Sequence, residues 1–312
     1  MMMTYAFENT LQNAGSMKFF PQTLAAVSLL CAFAPPAHAV RPDPAAGLTP
    51  HKALYDIDLV ATRSGSQIIN ISGKMFYEWK PTCDAWITDH RFNLFYEYAD
   101  SPGMKISSDF STYEGFDGKT FNFSSRRKRD GAMYQELRGL ADLDGTPPRA
   151  TFTLPEGLSY DLTPEMMFPM GHTVEMVQHA RAGKKFFNAT VFDGSDEEGP
   201  IEINTFIGQK VNAMAEVKPS KSLDMTLLNT PAWKVRMAVF PTESPEENAD
   251  YEMSMIFHEN GVISDMLIEY DDFSVTQKLV ALEKLEGEKC GDAPGVPPKP
   301  SPSQDAPKID KP

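Results

Sequence analysis

Between about residue 50 and residue 290 the apolar residues recur at every second position, and that period decides what the chain can become. In Ile69-Asn70-Ile71-Ser72-Gly73-Lys74-Met75-Phe76-Tyr77-Glu78-Trp79 the odd positions are apolar, Gly73 apart, and the even ones mostly polar. Strands send alternate side chains to opposite faces, so such a stretch is a half-buried strand. The alternation returns in Phe92/Leu94/Tyr96/Tyr98, Met104/Ile106 with Phe110, and Ile201/Ile203 with Ile207. It continues in Trp233/Val235/Met237/Val239, Tyr251/Met253/Met255/Phe257, Met266/Ile268/Tyr270 and Phe273/Val275. Turn signals separate many of these runs: Ser101-Pro102-Gly103, Asp117-Gly118, Asp193-Gly194-Ser195 and Asn260-Gly261. Asp-Gly and Asn-Gly suit tight hairpins because both residues tolerate positive φ. The pattern predicts an all-β chain: a large antiparallel sheet that curls on itself, or two packed sheets, each strand with one apolar face.

One helix is expected. Thr173 to Ala182 carries Val174, Val177 and Ala180 as an apolar stripe, and Gly183 stops it. Thr163-Pro164-Glu165 reads as a shorter helical turn. No fixed-period repeat and no linker divides the body, so residues 40–290 are expected to form a single β domain.

The chain ends are of another kind. Lys18 precedes an apolar stretch, Phe19–Ala34, followed by Pro35-Pro36 and the small-x-small box Ala37-His38-Ala39. These are the parts of a secretory signal peptide over residues 1–39, too short in its apolar run for a membrane span. Met17 beside Lys18 is an alternative start. Cleavage would leave Val40 first and discard Cys31, which follows Leu30 rather than the small residue a lipid-attachment box needs. From Gly291 to Pro312 the chain is rich in proline without an aromatic residue, a disordered tail. The expected compartment is the periplasm.

Charge and motifs narrow the function. The net charge of −14 survives removal of residues 1–39, which takes away one Glu and one Lys. Such acidity argues against nucleic acid and anionic membrane surfaces as partners. The basic run Arg126-Arg127-Lys128-Arg129 reads as a solvated hairpin end. Nucleophile elbows, HExxH helices, Walker loops and GxGxxG turns are absent, so no enzyme, cofactor or metal is expected. His172 and His179, seven apart on one helical face, stand about 10 Å from each other, too far for one ion. Asp193-Gly194-Ser195-Asp196-Glu197-Glu198 lacks the spacing of a calcium loop, and alternation splits Asp271, Asp272 and Glu269 between faces. Two cysteines remain after cleavage, Cys83 and Cys290. An oxidising compartment favours pairing them, two free buried thiols being the alternative. Closing that loop would restrict the unfolded chain by at most on the order of 5 kcal/mol. The 20 Phe and 17 Met beside 3 Trp are a core, or the lining of a concave apolar surface that takes a lipid or an apolar peptide.

Several stretches, in order, resemble one family. They are His51-Lys52-Ala53-Leu54-Tyr55-Asp56, Gly73-Lys74-Met75-Phe76-Tyr77-Glu78, Cys83 with Trp86, and Arg91-Phe92. Phe168-Pro169-Met170-Gly171-His172-Thr173 leads into Ala180-Arg181-Ala182-Gly183, followed by Val191-Phe192-Asp193-Gly194-Ser195 and Cys290. Together they look like the cell-envelope integrity protein B family of alphaproteobacterial periplasmic proteins. The resemblance implies a monomeric, spiral-like β-sheet with a concave cavity and a Cys83–Cys290 disulfide. It implies no catalytic residues. The implied role is keeping the envelope intact under stress by binding other envelope components. Together with the apolar inventory, the expected function is non-enzymatic binding of an apolar ligand or an envelope protein, the alternative being a lipid or lipoprotein carrier.

Overall fold

The computed structural model describes residues 47–215, 217, 220–242 and 248–287. The expected signal peptide, Met17, Cys31, the expected start at Val40, the proline-rich tail and Cys290 therefore lie outside the described residues.

Eight strands come first: β1 (His51–Thr62), β2 (Ile68–Pro81), β3 (Ala85–Tyr98), β4 (Met104–Gly115), β5 (Thr120–Arg129), β6 (Ala132–Asp142), β7 (Arg149–Leu154) and β8 (Ser159–Asp161). Helix α1 (Pro169–Arg181) follows, then β9 (Phe186–Val191), β10 (Ile201–Val211) and the one-turn α2 (Met225–Leu228). β11 (Ala232–Pro241), β12 (Tyr251–His258), β13 (Ile263–Tyr270) and β14 (Phe273–Lys284) complete the chain. All pair in one antiparallel 14-stranded sheet, ordered β8-β7-β6-β5-β4-β3-β2-β1-β14-β13-β12-β11-β10-β9. Two meanders of local hairpins thus meet where β1 lies against β14, and α1 connects their outer edges. The sheet is open, because β8 and β9 do not pair. Met167 instead joins the β9 edge through a parallel bridge to Val191, donating from its N–H to Thr190 and accepting from Phe192 N–H at 3.0 Å each. Among the described residues no helix is long and apolar enough to cross a membrane.

The alternation places the core as expected. Trp233, Val235, Met237 and Val239 are buried, as are Met255, Phe257, Met266, Ile268 and Val275, all in one cluster with β1, β2 and α1. Ile69 is a correction. The β2–β3 register slips between Ile68 and Asn70, which turns Ile69 outward at 60 % exposure and Ile68 inward. A bulge does this by inserting one residue into a period of two. Gly73 interrupts the apolar row for a packing reason: a Cβ there would collide with the Asn93 carbonyl and with Leu94. A second cluster fills the β5–β8 end, where Phe121, Phe123, Phe152, Phe168 and Phe192 pack with Leu137 and Leu162.

Helix α1 ends as the sequence predicts, with Gly183 at φ 71°. Gly183 N–H donates to Ala180 O and Lys184 N–H to His179 O, the two bonds of a Schellman stop. It begins four residues earlier than predicted, at Pro169. No local side chain caps it. Glu114 of β4 accepts from Met170 N–H (2.8 Å) and Gly171 N–H (2.7 Å), satisfying two of the orphan donors of the first turn. Its buried face is also wider than the predicted stripe. Met170, His172, Met176, Val177 and Ala180 are buried while Val174 is only half-buried. The Thr163–Met166 stretch forms a single turn, Met166 N–H to Thr163 O.

Candidate functional site

A cavity of about 360 Å³ lies between the two meanders and the first turn of α1. Strand register composes its walls. Across β1–β4, His51 stands opposite Trp79, Trp79 opposite Thr88, and Thr88 opposite Thr112. One pleat further, Tyr77 stands opposite His90 and His90 opposite Phe110. His51, Tyr77, Thr88, His90, Phe110 and Thr112 all line the cavity, so this wall is rich in hydrogen-bonding groups. The facing wall is Met253, Phe257, Ile263, Met266 and Ile268 of β12 and β13, with Gln277 of β14 beside Met266. Met75 and Tyr55 continue the lining, and Pro169, Met170 and Thr173 close it from α1. Tyr55 Oη donates to Ile263 O at 2.8 Å, tying β1 to β13.

The electrostatics disfavour charge. His51 Nδ1 sits 2.8 Å from Thr49 O and 3.1 Å from Trp79 Nε1, and burial lowers its pKa below the usual imidazole value. Burial pushes His90 down to about 4. Tyr55 and Tyr77 are pushed upward by burial, Tyr77 also by Glu114. Just behind the lining, Glu114 is raised to about 7, because loss of water outweighs the two N–H groups it accepts from. Asp193 is raised by burial as well, while Ser195 N–H donates to it at 2.9 Å. Gln277 is 8 % exposed, and its Oε1 has no hydrogen-bond partner among the described residues. Among the described residues no Lys or Arg lines the cavity. Such a site can bury apolar surface and hydrogen-bond one polar head, but it solvates an ion poorly.

The residues singled out by sequence fall mostly elsewhere. Cys83 occupies the β2–β3 turn, and its proposed partner Cys290 lies outside the described residues. His172 is buried against Phe187, with ring centres 5.3 Å apart; His179 Nε2 meets Glu175 at 3.3 Å. Among the described residues no three His, Cys, Asp or Glu side chains gather as a metal-ligand set. Of the Asp193–Glu198 loop only Asp193 reaches the cavity. The basic run is corrected in one member: Arg126, Lys128 and Arg129 are exposed, whereas Arg127 turns inward and donates to Ser195 O (2.8 Å) and Gln135 Oε1 (2.9 Å), pinning that loop. Asp271 and Asp272 form the β13–β14 turn. Sequence reasoning missed Glu114, Thr112, His90 and Gln277, which are polar residues on inward positions. The signal for them was their place in the alternation: His90 two residues before Phe92, Thr112 and Glu114 two and four after Phe110, and Gln277 two after Val275.

The family model described as EipB-like matches residues 42–286. The cell envelope integrity protein EipB of Brucella abortus (strain 2308) is 28% identical over 242 residues, 76% of this chain and 84% of that protein. A crystal structure of a beta-barrel-like protein from Brucella abortus superposes with a TM-score of 0.70 at 27% identity, covering 77% of this chain and 99% of the other.

Proposed function

Because the chain belongs to the EipB-like family, we propose that it is a periplasmic, non-enzymatic protein that maintains the cell envelope by binding an apolar ligand in its interior cavity. The cavity carries this reading. At about 360 Å³ it lies within the range of small-molecule sites, and methionine and isoleucine face a wall of hydrogen-bonding groups. The role in envelope integrity rests on the name of the Brucella relative and on the similarity over most of both chains. The export signal at residues 1–39 supports the compartment.

The same compartment supports the Cys83–Cys290 disulfide as a further part of this reading. The described chain brings the two ends close. Leu285 N–H donates to Pro50 O at 2.8 Å, and a Cβ built on Gly287 would stand 3.4 Å from Pro81 Cγ. Cys290 lies three residues beyond Gly287 in sequence, a span of up to roughly 10 Å, and Pro81 is two residues from Cys83, which supports the pairing. A deletion strain tests the function: it should become sensitive to detergent, and the exported protein should restore resistance while a form lacking residues 1–39 should not. Full rescue by the unexported form, or no sensitivity at all, would remove the proposal.

A further inference from the structure

Resting on the reading that the cavity holds a ligand, we infer that it selects an uncharged amphiphile, a single short chain with a hydrogen-bond-donating head such as a hydroxyl or amide, over ionised lipids of equal length. Three observations converge on this class.

The first is size. At about 360 Å³ the cavity lies at the low end of the ~300–1,000 Å³ range of small-molecule sites, room for one short chain and too little for a two-chain phospholipid. The second is the division of the lining by strand register. Thr88, Thr112, His51 and His90 lie on the β1–β4 wall, while Met253, Met266 and Ile268 lie on the β12–β13 wall. A chain with one polar end fits such a pair of walls; a pure hydrocarbon leaves the first unmatched, and a sugar or nucleotide leaves the second.

The third observation concerns charge. An anionic head would need a cation or several free N–H donors, and among the described residues no Lys or Arg lines the cavity. The N–H groups of Met170 and Gly171 in the first turn of α1 are already taken by Glu114. A cationic head would need a free carboxylate. Both oxygens of Glu114 are engaged, and Asp193 accepts from Ser195 N–H with Arg127 near it. The depressed imidazole of His90 and the raised carboxyl of Glu114 report the same environment, one that penalises either sign of charge. What remains unmatched is an acceptor. Gln277 Oε1, more than nine-tenths buried and on the lining at the seam where β14 pairs with β1 (Gln277 opposite Ile57), has no donor among the described residues. A buried acceptor without a donor is costly, so the head that fits best brings an O–H or N–H to it.

The experiment compares three probes that share a ten-carbon chain, each titrated isothermally into the intact protein at neutral pH: 1-decanoylglycerol, decanoate and decyltrimethylammonium. We expect 1-decanoylglycerol to bind at least tenfold more tightly than either ion. Gln277→Leu should weaken it by about three- to tenfold, the range of one hydrogen bond, and thermal melting would confirm that the variant folds. The ranking of the three probes on the unaltered protein requires no variant. Equal or tighter binding of decanoate or of the ammonium would overturn the inference and leave apolar binding intact. Unchanged 1-decanoylglycerol affinity in a folded Gln277→Leu would overturn the role of the donor head. Failure of all three probes to bind would instead count against the cavity as a ligand site.

Discussion

Glu114→Gln is the perturbation whose outcome the structure fixes most closely. Glu114 is 1 % exposed and holds the first turn of α1 through Met170 and Gly171 N–H. Burial raises its pKa from an ordinary 4.5 to about 7, against the two N–H groups that favour the carboxylate. The native state therefore binds this proton more tightly than the unfolded chain. Between pH 4.5 and 7 the folded form holds more protons, so the contribution of this group to stability is fully present below 4.5 and is lost as pH rises through 7. With one pKa unit worth 1.36 kcal/mol, that loss is on the order of 3 kcal/mol. Glutamine mimics the protonated acid at every pH: it keeps one acceptor oxygen and carries no charge. Urea unfolding of both proteins at pH 5, 6, 7 and 8, followed by tryptophan fluorescence, isolates the effect as a difference, since other titrating groups cancel. The variant should be no more stable than the parent at pH 5 and should gain on it progressively, by up to about 3 kcal/mol at pH 8. A difference that stays flat, or one that moves against the variant as pH rises, would show that α1 holds the carboxylate ionised and that burial is not the dominant influence.

Three further outcomes are expected. His172 is 5 % exposed, and burial pushes its pKa down to about 4; its neutral form stabilises the fold above pH 6.5, and that contribution is lost as pH falls toward 4. His172→Leu should therefore blunt acid unfolding in a pH titration followed by circular dichroism, and an unchanged acid midpoint would contradict this. Phe121 is fully buried and stacks on Phe168, the residue just before α1, with centroids 4.9 Å apart. Phe121→Ala should cost about 3–5 kcal/mol in urea unfolding, and a cost below 1 kcal/mol would mean that the β5–β8 cluster is loosely packed. Reduction, or Cys290→Ser, should lower the melting temperature by several degrees and leave the β spectrum intact; two free thiols in freshly isolated protein would end the disulfide proposal.

The strands facing the core were legible because their inward positions are apolar: Trp233, Val235, Met237 and Val239 announce their own face. Legibility failed where the inward residue is polar. Ser108, Thr112 and Glu114 continue the face of Phe110, and Gln277 continues that of Val275, yet a count of apolar residues stops at each. Thr112 and Gln277 belong to the hydrogen-bonding part of the cavity and Glu114 is the cap of α1, so the site was the part least visible. The helix start was hidden for a related reason: its cap comes from a side chain 56 residues away in sequence. Ile69 shows a third limit, since one bulge reverses the face of a residue without altering the local pattern. The pairing of β1 with β14, which brings the two meanders together, leaves no local trace either.

Native mass spectrometry of the intact protein, isolated gently from the envelope fraction of its own cells, tests most directly whether the cavity works by holding a ligand. The expected spectrum shows a small amphiphile bound one to one and released on denaturation. It should be missing from Thr173→Trp, in which a lining position on α1 carries a bulky indole that takes up cavity volume. Ligand-free protein, together with full envelope resistance in cells carrying a folded Thr173→Trp, would contradict a role for the cavity.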